Sequence, residues 1–177
     1  MEQDLSRFDL VISDFDGTIC HLDVDWQELR QTFGLSFIEE GWTLEPQAQL
    51  EFWSQVTEAE LEAIDRSHPN EVVLEALDRV ERIVVLTNNS EAAVTAFVRK
   101  YLSNRAANSL RTIGRESLGG SKRNREIFTK VLNVDILHHR ASSAYLGDSR
   151  YELLFANELG LTTFRVDESG VLELFSE

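Results

Sequence analysis

The sequence holds one cysteine, one methionine and two prolines among its 177 residues. Cys20 alone can form neither an internal disulfide nor a Cys-based zinc site, and a chain without such pairs suits the reducing cytoplasm. The opening MEQDLSRFDL has neither the basic start nor the apolar centre of a secretory leader. No apolar run nears the ~20 residues that cross a bilayer, which excludes a helical membrane span. Cations are scarce too: 17 Lys and Arg stand against 31 Asp and Glu, a formal net charge of −14. General binding to nucleic acid draws most of its affinity from basic patches, so that class is excluded. An anion could be bound here only by a local device.

What the sequence has is an ordinary globular share of apolar residues, 42%, and a length that fits one domain with a small insert. Phe8–Ser13 is short, apolar and β-branched, and ends at acidic residues and Gly17, as a buried strand does. Arg82–Thr87 and Ser142–Gly147 repeat the pattern, and Ser109–Ile113 and Thr162–Val166 are weaker copies. Helical periods lie between them, over Asn70–Val80, Glu91–Leu102, Ser121–Leu132 and Tyr151–Leu159, the last closed by Gly160. Strands alternating with helices at these lengths imply an α/β fold of right-handed βαβ units on a parallel sheet flanked by helices. Residues 23–68 break the alternation: they hold all three tryptophans, and only helical periods, over Val24–Phe33 and Gln47–Ser67. They are expected to form a small helical insert, with 1–22 and 69–177 making up the core.

Ligands of parallel α/β sheets bind beyond the carboxyl ends of the strands. The first strand ends Asp14-Phe15-Asp16-Gly17-Thr18, and residues i and i+2 of an extended chain share a side. The fourth ends at Asp148, which brings a third acid to the same edge. Like charges a few ångströms apart repel by roughly 1–4 kcal/mol per pair, and a hard cation with oxygen ligands reverses the sign. A set of solvated strand ends is the bland alternative, and three acids at such positions argue against it. The second strand supplies Thr87 and Asn88 at the start of a helix, where free N–H groups suit a phosphate. Ser121-Lys122-Arg123-Asn124-Arg125 is a basic cluster in an acidic chain. Lys122, placed in the expected first turn of a helix against the macrodipole, is the cation that points to function. Arg123 and Arg125 fit a solvated face.

Asp14-Phe15-Asp16-Gly17-Thr18-Ile19, Thr87-Asn88, Lys122 and Gly147-Asp148-Ser149-Arg150-Tyr151-Glu152 resemble, in that order, the four motifs of the haloacid dehalogenase superfamily. The resemblance spans residues 8 to about 166 and lies in the combination of motifs. It implies a Rossmann-like core with its five parallel strands in the order 3-2-1-4-5, covered by a cap, which fits 23–68, and a Mg²⁺-dependent phosphatase acting on a small phosphorylated metabolite. Asp14 matches the nucleophile that becomes a phosphoaspartate. Asp16 matches the general acid and base, and its backbone carbonyl matches a metal ligand. Thr87, Asn88 and Lys122 match the phosphoryl-binding groups, while Asp14, Asp16 and Asp148 match the metal set. Gly17 permits the sharp turn after the second acid. Glu152 stands where the family commonly has aspartate, which makes it a supporting group for the metal or Lys122. Family dehalogenases lack an acid at the position of Asp16, so dehalogenation is disfavoured. A phosphomutase and a catalytically silent phosphate-binding protein are the competing readings.

His21 and Trp26 are candidate substrate contacts. His138 and His139 lack partners at metal spacing and fit a loop. Cys20 is structural on this reading, Trp26, Phe33, Trp42 and Trp53 build the insert's core, and Glu58–Glu62 is a solvated helix face.

Overall fold

The computed structural model describes residues 4–136, 140–167 and 169–176; His138 and His139 lie outside them. In chain order the elements begin with β1 (Leu10–Ser13), β2 (Cys20–His21), α1 (Trp26–Thr32), α2 (Pro46–Ala63), β3 (His68–Pro69) and α3 (Glu71–Leu77). Then come β4 (Ile83–Leu86), α4 (Glu91–Tyr101), α5 (Asn104–Ser109), β5 (Leu110–Ile113), α6 (Arg115–Leu118) and α7 (Arg125–Ile136). The chain closes with β6 (Ser143–Gly147), α8 (Arg150–Glu158), β7 (Thr162–Val166) and β8 (Leu172–Leu174).

The architecture is α/β and Rossmann-like. Six strands form one sheet in the order β5-β4-β1-β6-β7-β8, parallel but for β8, which runs antiparallel to β7. The five strands expected from sequence keep the order 3-2-1-4-5. The sixth was not expected: Leu172-Glu173-Leu174 is short, half exposed and joined to β7 by the turn at Gly170, so it lacks the apolar run of a buried strand.

Every residue of β1, β4 and β6 is buried, because helices cover both faces of the sheet. Strand alternation sorts their side chains. Val11, Val85 and Leu146 join Phe15, Leu77 and Phe97 on one face. Leu10, Ile12, Val84, Leu86 and Tyr145 join Phe128, Leu132 and Leu153 on the other. Burying such side chains contributes about 1.5–3 kcal/mol each, and this double core holds the strand ends in register.

Local signals set the helix ends. Ser90 caps α4 by accepting from Ala93 N at 3.2 Å, and Asn70 caps α3 through Val73 N. Pro46 opens α2 at a position where its missing N–H costs nothing. Gly160, at φ +84°, follows α8. The segment 23–68 is helical in its regular elements, with a 3₁₀ turn over Ile38–Thr43 between α1 and α2. It leaves and rejoins the core through β2 and β3, which pair antiparallel with His21 opposite His68.

One expectation about a helix fails. The helix expected from Ser121 starts at Arg125, and Lys122 precedes it in a turn. Asn124 Oδ1 accepts from Glu126 N and Ile127 N and so stops the helix short of Lys122. The macrodipole argument for Lys122 therefore does not hold.

Candidate active site

The register of the sheet builds the site. Ser13 at the end of β1 stands beside Val85 of β4 and Leu146 of β6. One residue further brings Asp14 level with the ends of both neighbours, beyond which lie Thr87 and Asp148. Asp14 N still donates to Leu146 O at 2.9 Å, so the backbone stays in the sheet as far as the carboxylate. Asp14, Asp16, Gly17, Thr87, Asn88, Lys122, Asp148 and Glu152 line one cavity of about 440 Å³ at this edge.

Asp14 is buried, and its Oδ1 accepts from Phe15 N at 2.6 Å and pairs with the Lys122 ammonium. Lys122 Nζ also lies 2.8 Å from Glu152 Oε2, which accepts a 2.7 Å hydrogen bond from the Tyr145 hydroxyl. One cation thus stands between two buried carboxylates, which leaves the cluster a net negative charge. Burial pushes the Asp14 carboxyl up to about 7, with the Glu152 charge adding to the rise and Lys122 opposing it. Burial works against the Lys122 charge, but Asp14 and Glu152 outweigh it and hold its pKa above the ordinary lysine value. Glu152 therefore holds Lys122. The turn carrying Lys122 is fixed by its own N–H, which donates to Asn88 Oδ1 at 2.8 Å.

The Asp16 carboxylate accepts from Leu22 N at 2.9 Å. Burial pushes its pKa upward, partly offset by that hydrogen bond. Gly17 has φ +83°, and a Cβ on it would lie 2.5 Å from Asp148 Oδ2, so only glycine lets the chain pass this close to that carboxylate. Among the described residues no group of three His, Cys, Asp or Glu side chains converges as a metal cage. The oxygens that could hold a hard cation here are those of the Asp14 and Asp148 carboxylates and the Asp16 backbone carbonyl, the Asp16 side chain being engaged by Leu22 N. A site of few carboxylates completed by water is the type Mg²⁺ prefers.

Thr87 is buried and donates from Oγ1 to Asn89 Oδ1 at 2.7 Å, while Asn89 N donates back at 3.1 Å. The free helix N-terminus expected after Asn88 is already occupied. Ser90 N donates to Glu60 Oε2 at 2.9 Å, Glu91 N to Glu116 Oε2 at 2.9 Å, and Ala93 N to the Ser90 hydroxyl. An anion here must rely on side chains and on the loop before α4.

Residues of the 23–68 segment complete the cavity. Trp26, Arg30, Phe37, Ile38 and Val56 line it, and His21 lies exposed at its rim. Trp42, Trp53, Phe52 and Phe33 stack on one another at centroid distances of 4.7–5.0 Å. Arg123, expected to be solvated, reaches Glu39 Oε1 at 2.9 Å and links the two parts of the chain at the surface. Cys20 is buried against the core, where burial raises its thiol pKa far above the ordinary value, in keeping with an inert structural group.

Among the cavity residues that escape a sequence reading, two are buried charges. Glu60 lies within the acidic run expected to be solvated, yet it is 1% exposed and pairs with the equally buried Arg115 at 3.1 Å. The spacing of Phe52, Val56 and Glu60, four residues apart on one helix, was the available signal. Arg115 carries no such signal.

No family model matches the sequence, and no curated protein does. Solved structures do match. A haloacid dehalogenase family enzyme of Bacteroides thetaiotaomicron, determined with magnesium and inorganic phosphate, is 16% identical, with a TM-score of 0.59 over 90% of this chain and 94% of its own. A haloacid dehalogenase-like hydrolase of Bacteroides fragilis is 16% identical, at 0.65 over 88% and 86%. An L-2-haloacid dehalogenase of Xanthobacter autotrophicus is 16% identical, at 0.53 over 92% and 80%. The chain has the haloacid dehalogenase-like fold. No helix among the described residues is long and apolar enough to cross a membrane.

Proposed function

We propose that this protein is a Mg²⁺-dependent phosphatase that hydrolyses a small phosphorylated metabolite through a phosphoaspartate, with residues 23–68 as a helical cap over a core of 1–22 and 69–177. The observation that carries this reading is the Asp14–Lys122–Glu152 cluster, buried at the same sheet edge as Asp16, Thr87 and Asp148. The fold is shared with a relative solved with magnesium and inorganic phosphate, which agrees with it.

Asp14 Oδ2 carries no hydrogen bond among the described residues, whereas Oδ1 is held by Phe15 N and Lys122, so the nucleophile is oriented with one oxygen left to attack phosphorus. As the bond from phosphorus to the leaving oxygen breaks, Asp16 gives that oxygen a proton. Asp16 then takes a proton from water, whose oxygen attacks phosphorus, releases inorganic phosphate and restores the Asp14 carboxylate. Lys122 balances charge on the phosphoryl oxygens, and Asn88 holds them together with Thr87, whose hydroxyl turns its proton from Asn89 Oδ1 to the phosphoryl group. Mg²⁺, bound by Asp14, Asp148 and the Asp16 carbonyl, would neutralise the repulsion between a carboxylate and a phosphate dianion. Asp16 argues against dehalogenation, which needs no acid for its leaving halide.

The test separates the two aspartates. Aryl phosphate turnover should need Mg²⁺ and vanish in EDTA. Asp14→Asn should fall to background without a phosphoenzyme. Asp16→Asn should turn over about 10²–10⁴-fold more slowly and accumulate a hydroxylamine-sensitive phosphoenzyme, because a good leaving group needs little acid whereas water still needs a base. Label trapped in Asp14→Asn, or full activity in EDTA, would overturn the reading.

A further inference from the structure

Helix α2 buries Phe52, Val56, Glu60 and Ala63. A carboxylate in that apolar stripe needs an explanation. Its oxygens accept from four donors: Asn89 Nδ2 at 3.0 Å and Arg115 Nη1 at 3.1 Å on Oε1, Ser90 N at 2.9 Å and Arg115 Nη2 at 3.4 Å on Oε2. Arg115 is clamped by the same helix. It donates to Thr57 Oγ1 at 2.5 Å and lies 4.7 Å over the Trp53 ring, and Nη1 also reaches Asn88 O at 3.3 Å. Buried ion pairs replaced by apolar side chains of similar size are often no less stable, so stability alone does not account for this one.

The direction of the hydrogen bonds supplies a reason. Because Asn89 Nδ2 is spent on Glu60, Asn89 Oδ1 faces the other way, and there it accepts the Thr87 hydroxyl. Asn89 N fixes the same hydroxyl from behind. We propose that Glu60 is a positioning residue for the phosphoryl-binding site: held by Arg115, it sets the Asn89 amide, and through it the place of the Thr87 oxygen, whose proton turns from Asn89 Oδ1 to a phosphoryl oxygen when one binds. This rests on the phosphatase reading above and deepens it. The consequence is that α2 must be seated for the Thr87 loop to take its shape, so docking of the 23–68 segment and assembly of the phosphate site are one event. Glu60 does not touch the reacting atoms in this scheme.

The test uses the full-length protein with Mg²⁺, reading aryl phosphate turnover, inhibition by inorganic phosphate and the thermal midpoint. Glu60→Gln leaves Arg115 buried without its partner, and will lose stability for that reason alone. Glu60→Gln/Arg115→Met removes both charges and should recover the wild-type midpoint. If Glu60 positions the site, kcat of this double variant stays down, by up to about 10²-fold, and inorganic phosphate inhibits it more weakly. A merely structural Glu60 gives wild-type kcat once the midpoint is restored, which overturns the proposal. Asn89→Ala, which spares the ion pair, should show the same loss, and the triple variant should be no worse than the double. Additive losses, or an Asn89→Ala variant with wild-type kcat and phosphate inhibition, also overturn it. A wild-type protein without turnover overturns the phosphatase reading and this role together, whereas an active wild type with unaffected variants overturns only the role of Glu60.

Discussion

Gly17 is the residue at which backbone and site are least separable. Its φ of +83° disfavours any side chain, and the space a Cβ would fill is taken by the Asp148 carboxylate. Gly17→Ala should lower stability by about 1–3 kcal/mol and displace Asp148. In a denaturant melt the loss should be visible without Mg²⁺, and the Mg²⁺ needed for half-maximal turnover should rise about tenfold or more. An unchanged Mg²⁺ requirement would show that Asp148 is not held by this close approach. Asp14, Asp16, Gly17 and Asp148 were readable as residues because strand ends and short spacings are local facts. Glu60 was not. Glu58 and Glu62 beside it are exposed, and burial of the Glu60 carboxylate is made tolerable by distant partners: the Arg115 side chain, 55 residues away, with Asn89 and Ser90.

Among the elements, the helices of the 23–68 segment hold together through a ring cluster that depends on another small residue. Gly41, in the 3₁₀ turn between α1 and α2, is buried, and a Cβ there would run into the Phe52 ring and lie 3.0 Å from Trp53 Cζ2. Gly41→Ala should cost about 1–3 kcal/mol through overpacking and alter the tryptophan fluorescence of the Trp42–Trp53 pair, whose centroids are 4.9 Å apart. Unchanged fluorescence and stability would mean that the turn can move away from α2. Long periodic elements such as α2, α4 and α8 were legible in the sequence. The two-residue β2 and β3 were not, since each exists only by pairing with the other. The early turn at Lys122 was missed for a related reason: Asn124 competes with the helix for its first N–H groups.

At the scale of the molecule, the sheet divides the core into two halves that share strands but few side chains. Phe97 packs on Phe15 and Tyr101 on one face, and Phe128 on Tyr145 and Phe155 on the other. Each is fully buried. Phe97→Ala and Phe128→Ala should each cost about 3–5 kcal/mol, and the double variant about their sum, because the two rings have no common partner. A chemical denaturation series checks both values, and a clear departure from additivity would mean that strain crosses the sheet.

The sequence by itself determined the α/β class, the five parallel strands and the acids at their ends. Those features follow from short-range periodicity and from the alternation of strands with helices, which operate within a few tens of residues. Tertiary structure alone decided which helix N–H groups stay free, that Glu152 holds Lys122 with help from Tyr145, and that Glu60 and Arg115 meet under α2. Each of those outcomes turns on the burial of a charge, and burial depends on what distant parts of the chain bring to the same place.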